Sequence, residues 1–157
     1  MNFLEMHALQ LGKLVGNLMS LELLLRCVLA ELEPDGPQVG LELKVGDRVP
    51  EAAISDYCAL GQIIRRYSSA VPSADWIDER LIVDVRDAVA HGRASTVVEN
   101  TPLTLVKFGK PDKASRTVEV MAVITMDEGW FQANVKAIAV AMEKVYAVAR
   151  RIGIVSD

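Results

Sequence analysis

The chain holds two histidines, His7 and His91. His91 stands near the end of the stretch VDVRDAVAHGR, residues 83–93, five positions after Arg86 and four after Asp87. These residue types permit a specific chemistry. A histidine titrates at about pH 6.5, so it can take or give a proton at neutral pH. A carboxylate one helical turn away can orient the ring and select its tautomer. An arginine can bind phosphate and stabilise charge that builds in a transition state. Together they suit attack by a ribose 2′-hydroxyl on the adjacent phosphodiester, without a metal. One such histidine per chain is thin for a two-step acid–base reaction, and a symmetric pair of chains would supply the second. Arg86, Asp87 and His91 are therefore the candidate catalytic residues, with Arg80 and Arg93 as candidate substrate contacts. The competing reading is that His91 only finishes a helix, favourably placed on the dipole, with Arg86 and Asp87 as surface charges.

The stretch needs a helix to bring these groups together. Ser73 is a candidate cap for it, Asp75, Asp78 and Glu79 suit its positive end, and Ile77, Leu81, Val85 and Ala88 form its buried stripe. Gly92 sits where a left-handed residue would end it, so the helix is expected to stop at His91. On that helix Asp84, Asp87 and His91 share a face, with Arg80 one turn before Asp84. Arg86 is offset from His91 by about 140° of arc, yet its long guanidinium can swing toward a phosphate held near the histidine.

The rest of the chain reads as a frame around this helix. Residues 3–32 predict one long helix with an apolar stripe through Leu4, Leu11, Leu14, Leu18, Leu21, Leu25, Val28 and Leu32, on which His7 also falls. Gly12, Gly16 and Ser20 are spaced by four and would let another helix approach. The helix is apolar over more than half its circumference, which predicts burial on two sides. A Pro- and Gly-rich connection covers 33–50, with LELKV as a short strand within it. Helical periodicity returns over 51–70 through Ala53, Tyr57, Leu60, Ile64 and Tyr67, with Pro50 suited to a first turn. Residues 93–126 change character: STVV, LTLVKF and TVEVMAVIT are rich in β-branched residues and predict two or three antiparallel strands around an exposed GKPDKAS turn. Residues 128–152 form a last helix through Phe131, Val135, Ile138, Met142, Val145, Ala149 and Ile152, with Thr125 and Glu128 at capping-box spacing. The expected fold is mainly α: an up-and-down four-helix bundle with a small antiparallel β-hairpin or meander between helices three and four, in a single domain over 1–157.

At RDAVAH the chain resembles the HEPN superfamily (higher eukaryotes and prokaryotes nucleotide-binding) through its R-x4-6-H motif at the end of a late bundle helix. A polar residue often follows the arginine in that family, and Asp87 fills the place here. SLELLLRCVL is similar to the family's first-helix pattern of a glutamate followed four residues later by a basic residue, matched by Glu22 and Arg26. The resemblance implies a homodimeric helical bundle acting as a metal-independent endoribonuclease, with a composite site at the dimer interface. It also implies a place in toxin–antitoxin or phage-defence systems, with an antitoxin or other protein partner. Other members are non-catalytic and bind a partner protein or a nucleotide, which is the alternative reading. One toxin branch carries a modified tyrosine two residues after the histidine; Arg93 stands there, so that control is not expected. The β-rich segment departs from the family pattern.

Composition narrows the classes further. A net charge of −4 and a pI of about 5.2 give no global field for nucleic acid, so an RNA contact would need a local basic site. Cys27 and Cys58 form no metal-ligand pattern and read as reduced core thiols, which fits a cytoplasmic protein. No cofactor motif, signal peptide or membrane-spanning run is expected. Glu22 and Arg26 also suit a plain helical salt bridge. His7 reads as a core or interface histidine, Trp76 and Trp130 as helix-start residues at the core edge, and Arg65–Arg66 and Arg150–Arg151 as solvated faces.

Overall fold

The structure, a computed structural model, describes residues 3–33, 44–48, 54–95 and 101–155. It is mainly helical, with four helices and a small three-stranded antiparallel sheet. Helix α1 spans Phe3–Leu32, α2 Leu60–Ala70, α3 Glu79–His91 and α4 Glu128–Arg151. Strands β1 (Arg93–Ser95), β2 (Leu103–Asp112) and β3 (Thr117–Met126) lie between α3 and α4 and pair in that order. α1 packs along α4 and α2, and α3 packs against α2, α4 and β2.

The core follows the periodicity of the long helices. Leu14, Leu18, Leu21, Leu25 and Val28 alternate by four and three on α1 and are all buried. Phe131, Asn134, Ile138, Ala141, Val145 and Val148 alternate by three and four on α4 and are likewise buried. Leu4 belongs to the same expected stripe but is 60% exposed, since the first turn of α1 runs past its packing partners. His7 is buried, its Nε2–H donating to the Met126 carbonyl at 2.9 Å, with its ring edge-on to Phe131. It is a core histidine that ties α1 to the end of β3.

Helix α2 starts at Leu60, far later than its periodicity suggests. Asp56 is the cause. Its carboxylate accepts the Cys58 amide, a local turn that competes with helix. It is also held by Arg26 at 2.8 Å and Arg66 at 2.7 Å. Tyr57, expected on the buried face, points wholly into solvent, and Cys58 lies in the extended lead-in rather than inside a helix. Ala53, Pro50, most of LELKV and all of STVV but Ser95 lie outside the described residues; Lys44 and Val45 form no strand.

The start of α3 also differs. Ser73 begins a short 3-10 turn, Ser73–Asp75, and Asp78 is the true cap, accepting the Leu81 amide at 3.0 Å. Asp75 is drawn inward to pair with Arg151, which leaves the chain extended through Trp76 and delays the helix. The buried stripe is Ile82, Val85 and Ala88, with Leu81 exposed. Trp76 is half exposed and precedes the helix, while Trp130 packs edge-on against Phe131 in the first turn of α4. At α4 the cap is Asp127, which accepts the Trp130 amide at 2.7 Å, in place of Thr125. The paired arginines are not simply solvated: Arg65 bonds Glu79, Arg66 bonds Glu33 and Asp56, and Arg151 bonds Asp75.

Gly92 has φ −69° and ψ 151°, so it is not left-handed. Its requirement is space. A Cβ there would lie 2.4 Å from the Ala88 carbonyl oxygen and 2.5 Å from a methyl of buried Leu105. Glycine lets the end of α3 press directly on β2, and the chain enters β1 one residue later.

Candidate functional site

The last turn and a half of α3 brings Arg86, Asp87 and His91 together. Arg86 Nη1 lies 3.0 Å from Asp87 Oδ1 and 3.3 Å from His91 Nε2. Arg86 and Asp87 are half-buried and His91 is exposed. A guanidinium has only donors, so this contact makes Nε2 the acceptor and places the ring proton on Nδ1. The Nε2 lone pair is thus directed at the cation. The helix wheel pairs Asp87 with His91; in the structure Asp87 gives its carboxylate to Arg86 instead. The chemical unit is carboxylate–guanidinium–imidazole, with the arginine in the centre.

The other sequence-predicted residues are not gathered here. Arg80 sits in the first turn of α3, about 16 Å along the axis from His91. It is nearly fully exposed and faces Asp84 at 3.8 Å. Arg93 begins β1, and its guanidinium carbon lies 5.5 Å from the centre of the Phe108 ring.

A cleft of about 210 Å³ lies beside Arg86, between α1 and α3. Val15, Leu18, Met19 and Glu22 of α1 line it, with Leu60 at the start of α2 and Val89 and Ala90 of α3. Sequence reasoning placed none of the α1 apolar residues near the site, because the packing of α1 on α3 has no local signature. Glu22 reaches this cleft, but its carboxylate is engaged by Arg26 at 2.9 Å, the salt bridge its spacing suggested.

Arg26 continues into a larger charged group. It donates to Glu22, to Asp56 and to the Cys58 carbonyl, while Arg66 joins Asp56 to Glu33. Burial alone would push the Asp56 carboxyl up, but hydrogen bonds from Arg66, the Cys58 amide and Arg26 outweigh it and hold it far below the usual carboxylate range. Elsewhere burial, with Asp75 nearby, pushes the Tyr67 hydroxyl up to about 12. The Arg26–Asp56–Arg66–Glu33 group braces α1 against α2. Comparison with protein-family models, curated proteins and solved structures returned no match.

Proposed function

We propose that the chain is a metal-independent endoribonuclease of HEPN type, an up-and-down helical bundle acting as a homodimer in the cytoplasm, in a toxin or defence role. The observation that carries the reading is the Arg86 guanidinium set between Asp87 and an exposed His91. The ring offers Nε2 as a base. A phosphate arriving at Arg86 would draw the guanidinium to itself and free that lone pair. The proton of a 2′-hydroxyl then passes to Nε2, O2′ bonds to phosphorus, and the P–O5′ bond breaks. The departing O5′ takes a proton from the second copy's His91, which acts in its imidazolium form, leaving a 2′,3′-cyclic phosphate. Asp87 keeps Arg86 in place throughout.

A second copy fits the outer face of α1. Leu9, Met19 and Leu23 are exposed there, and added methyl groups at Gly12 and Gly16 would meet open space. Met19 also lines the cleft beside Arg86, so pairing along this face would join the dimer seam to the site. Among the described residues no helix is long and apolar enough to cross a membrane.

The test is RNA cleavage in EDTA. His91→Ala should reduce cleavage about 100- to 10,000-fold with the fold intact, and Arg86→Ala should abolish the cyclic-phosphate product. Equal cleavage by wild type and His91→Ala would sink the reading. A second reading, a non-catalytic dimer that binds a partner protein such as an antitoxin, draws on exposed Val118, Val120, Met121 and Val123 of β3. It would be favoured by a stable copurifying partner with no cleavage by any form.

A further inference from the structure

The acidic chain has a basic region in its sheet. Residues 93–126 hold Arg93, Lys107, Lys110, Lys113 and Arg116 against Glu99, Asp112 and Glu119, in a protein of net charge −4. The register divides the sheet into two faces. Leu105, opposite Ile124, turns inward and is buried. Arg93 lies opposite Val106, and Val106 opposite Val123, so these turn outward. The register shifts between Lys107 and Phe108, and Phe108 joins this face through Arg93, which lies over its ring. Phe108 remains 41% exposed with Arg93 over its ring, and Val123 is 65% exposed. An aromatic ring paired with a guanidinium, beside further cations, is the combination that stacks an unpaired base and holds its phosphate. One residue, Gly92, separates Arg93 from His91.

We propose that the outward face of this sheet is a binding platform for single-stranded RNA, with a base stacked on Phe108 and Arg93 and the backbone drawn by Lys110, Lys113 and Arg116. The inference deepens the ribonuclease reading and rests on it for the nature of the ligand. It names the substrate class: a duplex keeps its bases stacked inside and has none to offer Phe108. It also gives the sheet a purpose in a protein whose overall charge repels RNA. A strand lying on the platform would reach the Arg86–His91 pair across a single residue of protein chain.

Binding can be read separately from cleavage. In the full-length His91→Ala background, the anisotropy of a labelled single-stranded RNA of about ten nucleotides reports affinity. Adding Phe108→Ala should weaken it about 5- to 150-fold, the range expected for one lost base stack. Phe108→Trp should retain it, and a duplex of the same sequence should bind less tightly. Because Phe108 is part-exposed, circular dichroism of each variant should match the parent. Equal affinity with and without the ring, or no saturable binding by the parent, would overturn the platform. So would a change of oligomeric state in Phe108→Ala with RNA affinity unaltered, which would make the face a protein contact. Ring-dependent binding without cleavage by wild type would leave the platform standing and refute the nuclease reading alone.

Discussion

Replacing Gly92 by alanine tests the junction on which the candidate site depends. The backbone there, φ −69° and ψ 151°, is open to any residue, so no conformational penalty applies. Restricting the unfolded chain would even favour the variant by about 0.4–1 kcal/mol. The opposing effect is steric. The new Cβ would stand 2.4 Å from the Ala88 carbonyl oxygen and 2.5 and 2.6 Å from two carbons of Leu105, where ordinary contact begins at 3.4 Å. Leu105 is buried, and the Ala88 carbonyl already accepts the Gly92 amide at 2.9 Å, so neither can withdraw freely. Overpacking of this kind costs about 1–3 kcal/mol, which leaves a net loss of about 1–2 kcal/mol. For a domain of this size that lowers Tm by roughly 2–8 °C. Thermal and urea unfolding would measure it. A cycle with Leu105→Ala, which alone should cost about 2–5 kcal/mol, identifies the partner: the double variant should be more stable than the sum of the two losses by roughly 1 kcal/mol. If Gly92→Ala is as stable as the parent, or the cycle is additive, the close approach is not what requires glycine.

Two further variants probe the frame. The folded-state carboxyl of Asp56 is depressed, so its contribution to stability is complete above the unfolded value of about 3.9 and is lost as pH falls through that value toward the folded one. The urea midpoints of wild type and Asp56→Asn should therefore differ at pH 7 and converge below about pH 4; a gap independent of pH would refute the assignment. Gly12→Ala with Gly16→Ala meets only open space, so each should stabilise the lone chain by about 0.5–1 kcal/mol. Sedimentation should show weakened dimerisation if two copies meet along this face, and an unchanged dimer would exclude the α1 seam.

What could be read from the sequence was local. Periodicity placed α1 and α4 within a residue, and the change to β-branched runs marked the sheet. His7, Glu22 and Arg26 took the positions their spacing suggested. The misplaced starts of α2 and α3 were decided by distant partners. Nothing around Asp56 announces Arg26, thirty residues earlier, whose grip holds the lead-in to α2 out of helix. Nothing near Ser73 announces Arg151, which takes Asp75 and leaves Asp78 to cap α3. At the candidate site the wheel put Asp87 beneath His91 and Arg86 to the side. The length of the guanidinium reversed this, since it spans the offset that a helical projection treats as separation.

The Arg26–Asp56–Arg66–Glu33 group has a bearing on how this chain could vary. It fastens the exit of α1 to the approach of α2, gripping Glu33 on one side of residues 34–55 and Asp56 on the other. For a flexible stretch, the entropy of closing the chain between two such points grows only with the logarithm of the number of residues between them, about 0.6 kcal/mol for each doubling. Insertions and deletions in that interval would then be nearly invisible to the fold, while loss of a single charge at the clasp would be felt at once. A change in the number of residues between Glu33 and Asp56 should therefore disturb the fold less than the loss of one of the four charges that flank them.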